Sequence, residues 1–377
     1  MIRLAAPSAV AIALTLLALG PGTATAAPTL EELQQQVDAL AAEVEAQKTA
    51  SSGTAADTGK TTLGGYGEHH YNNLDSKNEV DAHRFVLMVG HRFDENIRVF
   101  SELEVEHGLV EDTADGSGPG EVELEQAFIE VRINDAMHVT AGQFLLPVGW
   151  LNETHEPDTF YGVERNPVEN AIFPTTWWET GAMVSGTLSD TLGYDLALHS
   201  GLNNSTGNVR SGRQKSAKAN ASEWAATARL KYRPRNNLEL AISVQQQADM
   251  AQRTAAMAQE ATLLNAQFSW QPLAKLNVRG LYGQWEIDHL ALADAARSEQ
   301  TGFYVETSYK VTPKIGVFAR YNQWDNSAAD SIDSVIAQTD IGVNWWLHPR
   351  VVVKADYQEQ AKTADNDGFN LGLGWSF

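Results

Sequence analysis

The chain ends in the stretch FNLGLGWSF, residues 369–377, in which large apolar residues alternate with small or polar ones. Successive side chains of a β-strand point to opposite faces, so this stretch would carry one wholly apolar face. That face holds Phe369, Leu371, Leu373, Trp375 and Phe377, and the other holds Asn370, Gly372, Gly374 and Ser376. Because soluble sheets also contain such strands, the preceding residues must indicate what the apolar face contacts.

Similar alternation predicts sixteen strands within residues 61–377. They are residues 61–71, 82–93, 97–106, 121–133, 137–143, 178–188, 192–199, 223–233, 238–246, 261–270, 276–286, 300–311, 315–324, 338–347, 351–358 and 369–377. Their connections alternate between seven tight turns, rich in Asp, Asn and Pro, and eight longer segments of roughly nine to thirty-four residues. This alternation is typical of an up-and-down barrel with tight turns at one end and long loops at the other.

The last five strands place their charged residues on a single face. That face carries Glu306, Lys310, Arg320, Asp340, Lys354 and Asp356. A charge facing lipid at the bilayer midplane would cost about 2–4 kcal/mol, so the uncharged face is predicted to contact lipid. Two large aromatic residues, Phe318 and Trp346, fall on the charged face, and the alternation does not explain them.

A sheet that faces lipid must close on itself, because hydrocarbon leaves no partner for an unpaired backbone group. The sequence therefore predicts an all-β fold, a transmembrane antiparallel up-and-down β-barrel of about 16 strands around a water-filled lumen. The alternative, a secreted β-sandwich or adhesin, predicts neither alternating loop lengths nor a polar inner face with charges of both signs.

The N-terminal residues predict export and a helix. Residues 1–26 combine an early Arg3, a short apolar run and an A-x-A site, as in a secretory signal peptide; a membrane anchor is the alternative. Within residues 27–60, heptad spacing predicts a coiled-coil helix followed by a small polar linker. The heptad positions are Leu30, Leu33, Val37, Leu40 and Val44. A helix of this length is marginal alone, so we expect identical partners; packing against its own domain is the alternative.

Three segments connect the chain to a known family. They are GQFLLPVGW at 142–150, ERNPVENAIFP at 164–174 and WWETG at 177–181. Together with the predicted signal peptide, helix and terminal Phe, they resemble outer-membrane porins of the phosphate-selective porin O and P family. The resemblance implies a homotrimer in a Gram-negative outer membrane, with its N-terminal helix in the periplasm. It also implies passive uptake of small hydrophilic solutes, with phosphate or pyrophosphate selected by some members.

The longest connection, residues 144–177, is the predicted constriction loop, a role that follows from the resemblance. It carries the acidic residues Glu153, Glu156, Asp158, Glu164 and Glu169 against a single Arg165. The predicted lumen-wall residues carry charges of both signs, with Arg320 among the basic ones and Glu102, Glu104 and Glu106 among the acidic ones. An acidic loop facing a partly basic wall sets up a transverse field that filters small ions without binding one of them, which favours general diffusion with a weak cation preference.

Phosphate selection is the alternative, because several cationic donors on one strand face can replace the water around an oxyanion. Arg229, Lys231 and Arg233 have this spacing, although a solvated lumen wall near a tight turn is the favoured interpretation of these three residues. The net charge of -21 opposes strict anion selectivity and predicts no nucleic-acid partner. Acidic outer loops would instead lie among divalent ions, lipid and lipopolysaccharide.

Other classes of function have weaker support. His69 and His70 are adjacent in a strand and point to opposite faces, so they cannot chelate one metal as a pair. No G-x-S-x-G motif and no Cys occur, so we predict no enzyme, cofactor or metal site. A structural or adhesive barrel with a plugged lumen remains the alternative from another class.

Overall fold

The computed structural model describes residues 60–110, 120–253, 258–330, 332, 334–361 and 366–377. The predicted signal peptide (1–26) lies outside this part of the chain, and so does the helix and linker region (27–60) except for Lys60. Among these described residues, no helix is long and apolar enough to cross a membrane.

Sixteen strands form one closed antiparallel barrel, in which each strand pairs with its neighbours in sequence and the first pairs with the last. Their bounds are β1 Lys60–Leu74, β2 Lys77–Arg92, β3 Ile97–Glu106, β4 Val122–Asn134, β5 Met137–Leu145, β6 Trp178–Ser189, β7 Leu192–His199, β8 Ala225–Arg235, β9 Leu238–Gln247, β10 Ala261–Leu273, β11 Leu276–Ile287, β12 Glu299–Thr312, β13 Ile315–Asp325, β14 Ile336–His348, β15 Val351–Ala361 and β16 Gly368–Ser376. The predicted barrel and strand count are confirmed.

The prediction of a long first connection at residues 72–81 is wrong. Strands β1 and β2 pair as far as Leu74 and Lys77, so only Asp75 and Ser76 connect them. The segment is polar because both strands extend beyond the apolar band of the barrel, where polar residues can still pair through their backbone. Polarity alone therefore does not distinguish a loop from a strand in water.

The two faces of the sheet match the predicted alternation. In β16, Phe369, Leu371 and Leu373 are 41–44% exposed on the outer face. Inside the barrel, Glu306, Arg320 and Lys354 are at most 4% exposed. Because these charged residues lie inside and the apolar residues lie outside, the outer surface can contact hydrocarbon at no electrostatic cost.

Candidate functional site

The connection between β5 and β6, residues 146–177, folds into the barrel, and we call it the lumen loop. Most of its apolar side chains are fully buried, including Leu146, Val148, Leu151, Phe160, Ile172 and Phe173. It contains a single short helix, α1, at Pro167–Ala171. The lumen loop packs on the inner wall like a protein core rather than lying free in the lumen.

Asn152 closes the base of the lumen loop. Its side-chain amide donates to the carbonyl oxygens of Leu146, at 2.7 Å, and Trp177, at 2.9 Å. Its side-chain oxygen accepts from the Trp177 N–H at 2.6 Å. The backbone bond from Leu146 N–H to the Trp177 carbonyl adds a fourth contact. A buried side chain thus satisfies backbone groups that the loop removes from water.

Glu169 of helix α1 connects the start of the lumen loop with strand β12. Its Oε2 accepts hydrogen bonds from the N–H groups of Trp150, at 2.8 Å, and Leu151, at 2.7 Å. Its Oε1 accepts from the Tyr304 hydroxyl on β12 at 2.7 Å. Gly149 has φ +71°, and a Cβ there would lie 2.6 Å from Glu169 Oε2, so the position requires glycine. Burial raises the pKa of Glu169.

Helix α1 starts at a cap that also contacts the wall. The side-chain oxygen of Asn166 accepts from the N–H groups of Val168 and Glu169, and Pro167 occupies the first helical position. The Asn166 amide donates to the Asn322 side chain at 2.9 Å. The motifs that carry the family resemblance therefore fold the lumen loop and fix it to the wall.

Glycines on the inner wall make room for this loop. Gly283 and Gly302 lie against Phe173 and Ile172 of the loop, while Gly372 and Gly374 of β16 lie against Val163 and Pro157. A side chain at any of these glycines would meet loop atoms at 2.2–3.0 Å. The small residues that alternate with the apolar ones in FNLGLGWSF therefore leave space for the lumen loop.

Phe318 and Trp346, which the alternation left unexplained, hold Tyr161 of the loop. The Tyr161 ring centroid is 5.6 Å from the ring centroids of both residues. A Cβ on Gly316 would lie 2.2 Å from the Tyr161 hydroxyl. Two inward aromatic residues and a glycine thus form a pocket for one loop side chain.

The structure brings predicted acidic and basic residues together on the tight-turn side. Glu153 of the lumen loop pairs with both terminal nitrogens of Arg229 on β8. Asp195 accepts from Arg229 Nε at 2.7 Å and pairs with Lys231 Nζ at 3.1 Å. Arg233 instead pairs with Glu239 at 2.6 Å, and its side chain is 61% exposed.

The remaining predicted site residues are spread over the loop and the wall. Glu164 accepts from His70 at 3.1 Å and from Asn72 at 2.8 Å. Arg320 lies 2.9 Å from Asp340 and 3.3 Å from Glu306. The other three are Asp158, which accepts from Ser376 at 2.9 Å, Glu156, which is half-buried, and Arg165, which donates to Thr176 at 3.3 Å.

Sequence reasoning placed Glu102, Glu104 and Glu106 on the lumen wall but missed that they belong to a cluster of charges near the long-loop end. Glu102, Glu104 and Glu106 of β3 lie beside a second series of carboxylates, Glu121, Glu123 and Glu125. Arg210, Arg213 and Lys215, from the β7–β8 loop, approach them, and Lys215 pairs with Glu121 at 2.6 Å. The signal available in the sequence was the alternation of glutamate with apolar residues in ELEVE (102–106) and EVELE (121–125).

Cavities lie on both sides of the lumen loop. A cavity of about 540 Å³ near the long-loop end is lined by Glu164, Arg165 and residues of the missed cluster. Near the tight-turn end, one cavity of about 590 Å³ is lined by Glu153, Asp195 and Arg229. Another, of about 460 Å³, reaches Tyr161. A solute crossing the barrel would pass from one set of charges to the other around the loop.

Comparisons with known proteins agree with this architecture. A family model described as Gram-negative porin matches residues 13–367. An uncharacterized protein of Aquifex aeolicus (strain VF5) is 29% identical over 353 residues, covering 84% of this chain and 80% of that protein. The outer membrane channel DcaP of Acinetobacter baumannii superposes with a TM-score of 0.59 at 12% identity, covering 86% of this chain and 99% of that chain. In-vitro folded OmpT of Vibrio cholerae, in its trimer form, superposes with a TM-score of 0.57 at 10% identity, covering 85% and 100%.

Proposed function

The chain belongs to the Gram-negative porin family, and from that premise we propose a general diffusion channel with a weak preference for cations. It is an outer-membrane barrel that lets small hydrophilic solutes and ions diffuse passively, and its family and fold are those of a channel rather than of an enzyme. In this proposal the lumen loop is the constriction. The observation that carries it is that the predicted basic ladder already has carboxylate partners.

Ion pairing is what disfavours an oxyanion site on β8. Arg229 is 5% exposed, and its guanidinium contacts both Glu153 and Asp195. Lys231 shares Asp195, so two positive and two negative charges balance within one network before any solute arrives. A phosphate ion bound here would have to displace carboxylates that make charge-assisted hydrogen bonds of the same kind. The lumen loop as a whole still has a negative edge, because it carries five carboxylates against a single Arg165.

Phosphate selection is supported by a different group of arginines. Arg210 and Arg213 donate to the carbonyl oxygens of Thr175 and Thr176, at 3.0 and 2.6 Å. Arg213 Nε and two nitrogens of Arg165 are buried without a hydrogen-bond partner among the described residues. Burial, together with repulsion from Arg213 and Arg165, lowers the pKa of Arg210 to about 10. An anion bound among these guanidinium groups would offset this repulsion.

Reversal potentials separate the two candidates. In a tenfold KCl gradient across a planar bilayer, we expect the wild-type channel to favour cations, roughly twofold, because a negative edge raises the local cation concentration. Glu153→Gln should reduce that preference, whereas Arg233→Ala, which changes an exposed residue at the rim, should leave it nearly unchanged. Block of chloride current by sub-millimolar phosphate, relieved by Arg213→Ala, would instead establish the phosphate-selective channel.

We also propose a homotrimer with outer loops that contact lipopolysaccharide. OmpT, whose barrel is similar, was described in a trimer form. The heptad pattern within residues 27–60 predicts an additional association element. Deleting residues 29–48 is expected to leave the barrel folded and to lower the temperature at which trimers dissociate during electrophoresis in detergent. Unchanged trimer stability would assign the segment another role.

A further inference from the structure

Three buried titratable side chains meet where the lumen loop touches the wall. Glu102 belongs to β3, Glu125 to β4 and His155 to the lumen loop. Their exposed fractions are 0%, 0% and 2%. No Arg or Lys among the described residues forms an ion pair with either carboxylate. Buried carboxylates without a cationic partner are costly, so this group requires an explanation.

The facing atoms of the three residues have the spacing of metal ligands. His155 Nε2 lies 3.6 Å from Glu102 Oε1 and 3.7 Å from Glu125 Oε2. These distances are too long for hydrogen bonds, and each of the three atoms lacks a hydrogen-bond partner within the described structure. All three atoms lie within 4.8 Å of one another, so an ion placed between them can lie roughly 2 Å from each, close to ordinary Zn–N and Zn–O bond lengths.

The second polar atom of each of these three side chains contacts a neighbouring residue. Gln126 donates to Glu102 Oε2 at 2.5 Å, and the Thr176 hydroxyl donates to Glu125 Oε1 at 2.8 Å. His155 Nδ1 lies 3.3 Å from the Asn152 carbonyl oxygen. A carbonyl only accepts, so Nδ1 carries a proton, which leaves Nε2 as the nitrogen that can bind a metal ion. Such outer partners are typical of metal-binding histidines and carboxylates.

A β-bulge aims the second carboxylate into the group. Glu102 is opposite Gln126 and Leu103 is opposite Leu124, so Glu125 has no residue opposite it. Leu124 is 45% exposed on the outer face, whereas the adjacent residues Glu125 and Gln126 both contact groups in the lumen. The bulge thus places the carboxylate of Glu125 beside Gln126, whose side chain holds the other carboxylate, that of Glu102.

We propose that Glu102, Glu125 and His155 bind one divalent transition-metal ion of the Zn²⁺ class, which fastens the lumen loop to the wall. One imidazole and two carboxylates suit Zn²⁺ better than Ca²⁺ or Mg²⁺, which prefer oxygen ligands only. The ion neutralises two buried carboxylates and crosslinks β3 and β4 to the loop. The site lies next to Glu104, which pairs with Arg84 at 2.8 Å, and Arg84 also pairs with Glu68 and Glu106.

A second cluster, Asp81, His83 and His107, lies near the long-loop end, and its histidines already form hydrogen bonds. His83 and His107 each place Nδ1 2.8 Å from Asp81 Oδ2, so their nitrogens already have a hydrogen-bond partner. Zinc bound there would have to replace those bonds, whereas at His155 it would use atoms that have none. His107→Gln therefore distinguishes the two locations in a binding experiment.

The test is a calorimetric titration of the full-length protein in detergent, stripped with a chelator, with ZnCl₂ at pH 7. We expect one tight Zn²⁺ per chain, weakened more than about 100-fold in His155→Gln and about 10- to 100-fold in Gln126→Leu, which keeps all three ligands. His138→Gln is the matched control, because it removes an exposed histidine 3.8 Å from Glu130 and should leave the affinity unchanged.

Several outcomes would overturn the proposal. These are equal Zn²⁺ affinity in the wild type and both site variants, loss of the tight site in His107→Gln alone, and binding of Ca²⁺ or Mg²⁺ in preference to Zn²⁺. If His155→Gln fails to fold, Gln126→Leu decides the matter. Anomalous diffraction at the zinc edge from crystals grown with ZnCl₂ provides a second measurement: a peak between the three side chains supports the site, and ordered side chains without a peak overturn it.

Discussion

Replacing Glu169 with alanine is expected to release the lumen loop and to raise the single-channel conductance severalfold. The wild-type carboxylate accepts hydrogen bonds from Trp150, Leu151 and Tyr304, and it is 0% exposed. Hydrogen bonds to a charged group contribute roughly 1.5–3 kcal/mol each, and alanine would leave two backbone N–H groups buried without a partner. The loop should therefore leave the wall, while the barrel hydrogen bonds remain intact.

Conductance in planar bilayers and the permeation of oligosaccharides into liposomes measure this effect. Tyr304→Phe removes one of the three hydrogen bonds and should give an intermediate increase. Glu156→Gln is the matched control, because it neutralises a half-buried glutamate of the same loop. Conductance and permeation equal to those of the wild type in Glu169→Ala would show that the other contacts of the loop hold it against the wall without Glu169.

The strands could be predicted because their signal is local. Alternation along a strand and turn-forming residues between strands depend on neighbours in sequence, and the environment of the barrel imposes the same rule on all sixteen. The error at 72–81 has the same origin, since polar alternation outside the lipid gives no contrast between the two faces. The inward positions of Phe318 and Trp346 became intelligible only once Tyr161 was placed beside them.

The site was less predictable because its pairs are distant in sequence. The sequence places Glu153 in an acidic constriction and Arg229 in a basic ladder, which are opposing hypotheses, yet the two residues form one ion pair. Nothing local to either residue specifies that the lumen loop brings them together. Similarly, the bulge at Glu125 is invisible in the sequence, where strict alternation would point Glu125 and Gln126 to opposite faces.

Gly374→Ala is expected to destabilise the closed barrel by about 1–3 kcal/mol, as overpacking of a well-filled core does. The new Cβ would lie 2.4 Å from Pro157 Cβ and 2.8 Å from Pro157 Cγ. Both the strand backbone and a proline ring are stiff, so neither can move aside without shifting the lumen loop. Elsewhere in a strand, alanine for glycine is neutral or favourable because it reduces the freedom of the unfolded chain.

Gly193→Ala on β7 provides the comparison, since its Cβ would meet no atom closer than 3.4 Å. Heat-dependent mobility in detergent electrophoresis and urea midpoints should show a loss of stability for Gly374→Ala and none for Gly193→Ala. Conductance should also rise in Gly374→Ala, because the displaced segment around Pro157 leaves the wall that β16 forms. Equal stability of the two variants would mean that the glycines of FNLGLGWSF serve the strand itself rather than the loop packed against it.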